Sequence, residues 1–279
     1  MSEIGDDPGR RGGDDLQARS ANAGESHDVI LARDGWAIFP RLIDDAFVAR
    51  LVEALQRAYD VQREMQVRNG VGQGTDGTVH HLPCMQGAFL EVLERNDCGD
   101  ALTRFFGGPY VLNTFGGVLN LPQDVAYVGR IHRDLRTFSG DLNLMAQLLI
   151  MLDDFTEENG ATYLLSGSHR LKERPGDEEF FSRAARAVGR AGSVVLFNSN
   201  LWHAAGVNRT SRARRALTLA FTTPYIKPQF DYPRAIGYDR GDQLSPTLRQ
   251  LLGYNARIPA SLDEWYQPPE KRMYRPGQG

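Results

Sequence analysis

From about residue 110 onward the chain breaks into short apolar runs, each closed by Gly, Asn, Asp or Ser. The runs are YVLNTFGGVLNLP (110–122), LNLMAQLLIMLDDF (142–155), ATYLLSG (161–167), GSVVLFN (192–198) and RRALTLAFTTPY (214–225). Runs this short, punctuated this often, are strands of a β-sandwich or jelly roll rather than helices. DDFTEENGAT (153–162) joins two of them and reads as a hairpin loop turning through Asn159-Gly160. The charged stretch 170–190, RLKERPGDEEFFSRAARAVGR, reads as a partly helical insertion between strands.

Ahead of these runs the pattern is helical. DGWAIFPRLI (34–43) suggests a short strand stopped at Pro40, after which Asp44 or Asp45 caps a helix. Phe47, Leu51, Leu55 and Ala58 recur there at helical spacing. NGVGQGTDGT (69–78) is a loop, and Leu90, Leu93 and Leu102 to Phe106 suggest one or two further helices. The expected fold class is therefore mainly β with flanking helices (α+β). Residues 1–26 carry too few large apolar side chains to offset their ordering entropy and are expected to be a disordered tail. Residues 27–279 are expected to form a single domain, with the aromatic, Pro-rich C-terminal segment wrapping the barrel. A net charge of −3 advertises no nucleic-acid or anionic-membrane face. The longest apolar run falls short of the roughly 20 residues of a membrane span, and the N-terminus lacks a secretory pattern. Two cysteines without CxxC spacing suit a reducing compartment. Together these point to a cytoplasmic protein; nothing in them sets an oligomeric state.

GRIHRDLRTF (129–138) carries the chemistry. In a strand, alternate side chains share a face, so His132 and Asp134 point one way and Arg133 the other. Two ligands at i and i+2 can bind one cation from one side, and a third must come from a distant strand. GSVVLFNSNLWHAAG (192–206) supplies it as a strand, a turn, then His203. Two imidazoles and one carboxylate on one face of a metal leave positions open, the facial arrangement of non-haem Fe(II) oxygenases. An HxD pair alone is weak, because isolated examples are mostly exposed loop residues. Its setting here adds specificity: strand-like runs surround it, a His follows about seventy residues later, and an Arg-rich strand comes next.

At these residues the sequence resembles the phytanoyl-CoA dioxygenase family of Fe(II)/2-oxoglutarate-dependent oxygenases. The matching blocks are DGWAIFPRLIDDAFVARL (34–51), HRD (132–134), LDDFTEENGATYLLSGSHR (152–170), GSVVLFNSNLWHAAGVNRT (192–210) and RRALTLAF (214–221). The resemblance implies a double-stranded β-helix (jelly roll, cupin-like). It also implies Fe(II) held by His132, Asp134 and His203, with 2-oxoglutarate as cosubstrate and O2 as oxidant. The family places an Arg eleven residues after the distal His to pair with the far carboxylate of 2-oxoglutarate, and that position is Arg214. A guanidinium offers two parallel donors to a carboxylate. Strand parity puts Arg214 on the small-residue face of Ala216, Thr218 and Ala220, whereas Arg215 shares the face of Leu217, Leu219 and Phe221. Arg209, Arg212 and Arg215 are the competitors and could instead solvate a turn. Asn120 resembles a family Asn that contacts the cosubstrate, with a turn-making strand-end Asn as the alternative. Gln147 shares the face of Leu149, where relatives carry a cosubstrate-contacting Trp. It either reaches 2-oxoglutarate or is a buried Gln satisfied by backbone.

The chain departs from the family at Ala205, Gly129 and Leu149, where relatives often have Ser, Gln and Trp; Thr162 or Thr218 could supply the missing polar contacts. His169 reads as structural, Asp153 and Asp154 as a solvated hairpin entry, and Trp202 as packing outside the barrel. His80 and His81 fall near the expected pocket mouth or on the surface. The reaction implied by the resemblance is oxidation, most simply hydroxylation, of an unactivated C–H bond, with 2-oxoglutarate leaving as succinate and CO2. Related halogenases lack the carboxylate that Asp134 provides, which argues against halogenation. Two rivals remain: a binding protein with a vestigial triad, and a cupin-like metal enzyme that does not use 2-oxoglutarate. The expected substrate is a small metabolite of secondary metabolism, with the 170–190 insertion and the C-terminal segment as the lid.

Overall fold

The first helix begins where Ser26, in extended conformation, accepts from the Val29 N–H. Helix α1 (His27–Asp34) ends at Gly35, whose left-handed φ of 81° lets its N–H return to the Leu31 carbonyl. The computed structural model describes residues 25–122 and 129–272; residues 1–24 of the expected tail lie outside that range. Strand β1 (Trp36–Phe39) follows, and then Asp44 caps α2 (Asp45–Arg68) by accepting from the Phe47 N–H at 2.8 Å. Beyond the glycine-rich loop come β2 (Thr78–Val79), α3 (Ala88–Arg95) and α4 (Gly99–Phe106).

The remaining strands are β3 (Val111–Asn120), β4 (Met145–Met151), β5 (Tyr163–Leu164), β6 (Ala185–Arg186), β7 (Val194–Asn198), β8 (His203–Ala204) and β9 (Arg214–Thr222). Helix α5 (Asp177–Arg183) lies between β5 and β6. The order β1-β7-β4-β9-β3-β2 forms one sheet and β6-β5-β8 a smaller one, with antiparallel pairing throughout. Helices cover one face of the large sheet and the small sheet closes over the other, which is the jelly-roll arrangement.

Alternation along the central strands creates the two layers. Ala146, Leu148 and Ile150 of β4 and Leu217, Leu219 and Phe221 of β9 pack outward against Phe47, Leu51 and Leu55 of α2. Their neighbours Leu149, Met151 and Ala216 face inward with Trp36, Phe155, Leu164 and Phe197. Because both faces are buried, these strands read in sequence as nearly continuous apolar runs. The C-terminal segment adds α6 (Tyr232–Ile236), α7 (Pro246–Leu251) and α8 (Leu262–Trp265). Tyr232, Leu248, Leu251 and Leu252 join the outer core, whereas Leu262–Trp265 buries no residue. Among the described residues no helix is long and apolar enough to cross a membrane.

Several expectations need correction. DDFTEENGAT is not a hairpin loop, because β4 and β5 belong to different sheets and the loop crosses between them. The turn itself is present: Asn159 Oδ1 accepts from the Thr156 N–H, and Gly160 has φ 80°. The local turn signal is the same for a hairpin and for a crossover. Segment 129–138 is no strand either; it touches the small sheet through one isolated bridge, His132 to His203. Part of the 170–190 insertion is structural. Its Ala185–Arg186 pairs with β5, and Phe180 is fully buried against Tyr163. Asp153 and Asp154 are not simply solvated. Asp153 accepts from the Arg215 backbone N–H and guanidinium, and Asp154 from the Ala191 N–H.

Gly192 joins three elements at the turn before β7. With φ 83°, its N–H donates to the Met151 carbonyl at 2.8 Å and its carbonyl accepts from the Ile43 N–H at 3.0 Å. A Cβ there would collide with the Ile43 carbonyl oxygen, which is backbone and has nowhere to go. Gly192→Ala should destabilise the fold by at least about 2 kcal/mol, read from urea unfolding midpoints.

Candidate active site

His132 and His203 are set face to face by backbone. Each N–H donates to the other's carbonyl at 2.9 Å, and Asp134 N–H donates to the Ser199 carbonyl at 3.1 Å. The imidazole centroids lie 4.2 Å apart. The Nδ1 atom of His132 is 2.8 Å from the Arg130 carbonyl, and that of His203 is 2.9 Å from the Leu201 carbonyl. A carbonyl can only accept, so Nδ1 is the donor in both rings and Nε2 is the nitrogen turned toward Asp134. Both Nε2 atoms lie 3.6 Å from Asp134, one from each carboxylate oxygen. The three donor atoms fall within 4.8 Å of one another. Burial lowers the pKa of His203, so the ring stays neutral, the form in which it can bind a metal. Two imidazoles and a carboxylate converging from one side make a donor set for a divalent transition metal with positions left open.

Gln147, on β4, donates its Nε2–H to Asp134 Oδ2 at 2.8 Å, while its own Oε1 is buried without a partner. Its side chain thus meets the carboxylate of the triad. Asn120 sits elsewhere: buried at the end of β3, it donates to the Gly206 carbonyl at 3.0 Å, and its own carbonyl accepts from Asn208. Among the described residues Asn120 links the loops at Asn159, Gly206 and Asn208 and is not among those lining the cavity.

The triad opens into a cavity of about 430 Å3 between the sheets. Arg214 lines it together with Ala216, Thr218 and Ala220, as strand parity required, and Leu149, Thr162 and Ala205 contribute as well. The Arg214 side chain is buried, its guanidinium 3.9 Å from the Phe155 ring centroid, and its Nε and Nη1 have no partner among the described residues. Burial pushes its pKa down to about 9, against the pull of Asp153. A buried guanidinium in this condition calls for an anion. Arg215, by contrast, is committed to Asp153.

His80 stands at the cavity rim. His81 stacks on Phe230 with centroids 4.1 Å apart and faces the Tyr232 hydroxyl; burial pushes its pKa down to about 4. His169 is buried beside Gly35, away from the triad. Trp202 points away from the cavity into a cluster with Leu165 and Phe180, covered by the insertion. No described residue of 170–190 lines the cavity, and from the C-terminal segment only Gln229 does. The aromatic end lines a separate groove of about 1070 Å3. Residues that sequence reading passed over line the cavity instead, among them Asn113, Arg136 and Gln229. Arg136 sits in an Arg-rich stretch and Asn113 inside a strand run, so neither stood out.

Comparison with known proteins gives the family. The chain matches the model of the Phytanoyl-CoA dioxygenase (PhyH) family over residues 31–216. It is 32% identical to the Mycobacterium tuberculosis protein Rv1501, across 88% of this chain and 92% of that one. It is 33% identical to the iron/alpha-ketoglutarate-dependent dioxygenase penM of Penicillium thymicola, across 46% and 43%. Its fold superposes on HygX of Streptomyces hygroscopicus, crystallised with nickel and 2-oxoglutarate, with a TM-score of 0.59 at 16% identity. That match covers 74% of this chain and 89% of that one. The chain therefore belongs to the phytanoyl-CoA dioxygenase family and is an iron- and 2-oxoglutarate-dependent dioxygenase.

Proposed function

We propose that this enzyme hydroxylates an unactivated C–H bond of a small metabolite, with His132, Asp134 and His203 holding Fe(II) and Arg214 holding 2-oxoglutarate. The observation that carries this reading is the partnerless guanidinium of Arg214 in the same cavity as the triad. A charge taken out of water and left unpaired costs several kcal/mol. A dicarboxylate cosubstrate offsets that cost, and a metal enzyme with no anionic cosubstrate has no use for it. Iron and 2-oxoglutarate together supply, when bound, the O2-driven oxidation of a C–H bond with release of succinate and CO2.

The protein's own residues supply placement. The Arg130 and Leu201 carbonyls fix the tautomers of the two imidazoles, and Gln147 fixes the rotamer of Asp134. We assign Gln147 to that positioning role through Asp134 rather than to direct contact with the cosubstrate, and Asn120 to loop anchoring. Thr162 and Thr218 line the same cavity as the triad and Arg214 and offer it hydroxyls. The apolar walls around Leu149, Phe197 and Ala216 keep the space poor in water.

Anaerobic addition of Fe(II) and 2-oxoglutarate should give a visible metal-to-ligand charge-transfer band. Full metal occupancy without that band would return the reading to a metal enzyme of another kind, and no metal occupancy to a vestigial triad. His203→Ala should abolish both the band and turnover. Arg214→Leu should raise the half-saturating 2-oxoglutarate concentration about a hundredfold, the scale for removing one partner of a buried charge pair, with iron affinity little changed. Gln147→Leu should instead weaken iron binding about tenfold in equilibrium titrations, leaving 2-oxoglutarate affinity intact at saturating iron.

A further inference from the structure

We propose that the substrate is a small polar anion, its carboxylate or phosphate met by Arg136 at the cavity mouth and a hydroxyl or amino group donated to the buried side-chain oxygen of Asn113. The proposal deepens the reading of the cavity as an iron and 2-oxoglutarate site and rests on it.

The charge inventory comes first. Asp134 is the one carboxylate among the described residues lining the cavity, whereas Arg133, Arg136 and Arg214 all line it. Divalent iron and dianionic 2-oxoglutarate cancel each other, and Arg214 cancels Asp134. Arg133 and Arg136 are left over. Arg133 is held over the Trp202 and Phe138 rings and donates to the Lys172 carbonyl, so its charge is positioned but not neutralised by any described acid. Arg136 is exposed and forms no ion pair among the described residues. Arg133's guanidinium is thus turned away from the cavity onto Trp202, and Arg136 remains at the mouth, unpaired among the described residues, where it favours entry of an anion and disfavours a cation.

Asn113 gives the second, independent observation. It sits at a bulge in β3, between Leu112 and Thr114, and is 2% exposed. Its Nδ2 donates to the Lys227 carbonyl at 3.4 Å, while its Oδ1 is buried and has no partner among the described residues. Buried amide oxygens are rarely left unmet in a folded protein, so a donor from a ligand is expected there. The register shows which ligand. Asn120 pairs with Arg214 at one end of the β3–β9 ladder and Val111 with Thr222 at the other. Asn113 therefore lies at the end remote from the Arg214 anion site, on the side left for substrate. Gln229, whose N–H donates to the Asn113 carbonyl, lines the same end.

The test uses the Fe(II)- and 2-oxoglutarate-loaded protein without oxygen, with the charge-transfer band confirming loading. Short hydroxycarboxylates and phosphate monoesters, together with their neutral amides or methyl esters and their deoxy counterparts, are titrated by calorimetry. The anionic members should bind about tenfold or more tightly than the neutral ones, with an advantage that shrinks as salt is added. Their rank order tells carboxylate from phosphate. Arg136→Gln should remove the advantage and Arg136→Lys should restore part of it. The gain of a hydroxyl over its deoxy counterpart should vanish in Asn113→Ala. Neutral members binding as well, no anionic member binding, or a preference that survives Arg136→Gln would overturn the inference. An intact band without anion preference defeats this inference alone, whereas a missing band defeats the iron and cosubstrate reading beneath it.

Discussion

Two reciprocal hydrogen bonds between the backbones of His132 and His203 place the chemistry of this protein. The segment that carries His132 and Asp134 belongs to no strand, and that bridge, with the bonds of Asp134 and Leu135 to the Ser199 carbonyl and of Gln147 to Asp134, ties it to the sheets. The bridge brings two imidazoles together whose residues lie far apart in the chain. Each ring is then turned by the carbonyl two residues before it, so both present the same nitrogen to Asp134. Side-chain geometry here is inherited from main-chain geometry, which a rigid sheet can hold to tenths of an ångström.

The cavity is polar at its two ends and apolar along its walls. At one end Arg214 is buried against Phe155, and at the other Asn113 is bonded to Gln229, with Arg136 exposed on the lining. Desolvating Arg214 is unfavourable, and the protein tolerates it because the outer layer is so well filled. Phe47, Leu51, Leu55, Phe115 and Phe221 are all at most 1% exposed. The same strands therefore serve two masters. Alternate residues of β9 build the stabilising helix–sheet core, and those between them line a site that is itself a source of instability.

What could be read from the chain alone followed from periodicity and spacing. The alternation in RRALTLAF was enough to send Arg214 inward and Arg215 outward, and the structure finds them on those faces, one partnerless and the other bound to Asp153. Asp44 as a cap and Phe47, Leu51 and Leu55 as a buried stripe were likewise legible, because caps and stripes are local. Pairing partners were not. Asn159-Gly160 signals a turn but not whether the chain returns to its own strand or crosses to the other sheet. Gln147 and Asn120 looked alike as polar residues near a pocket, and only their partners, a carboxylate in one case and loop carbonyls in the other, separate them. Asn113 was hidden because a bulge shifts the face that alternation would assign.

The crossing of the chain from β4 to β5 has a thermodynamic consequence. Gln147 belongs to the large sheet, His203 to the small one, and His132 and Asp134 to the segment stapled between them. A ligand gripped from all three parts acts as a clasp across the seam, and its binding free energy adds to the cohesion of the two layers. The short strands β5, β6 and β8, which have two residues each, are the weaker partner in that seam. Amide protons there should report occupancy of the cavity more sensitively than those of the large sheet, whose protection comes from its own core.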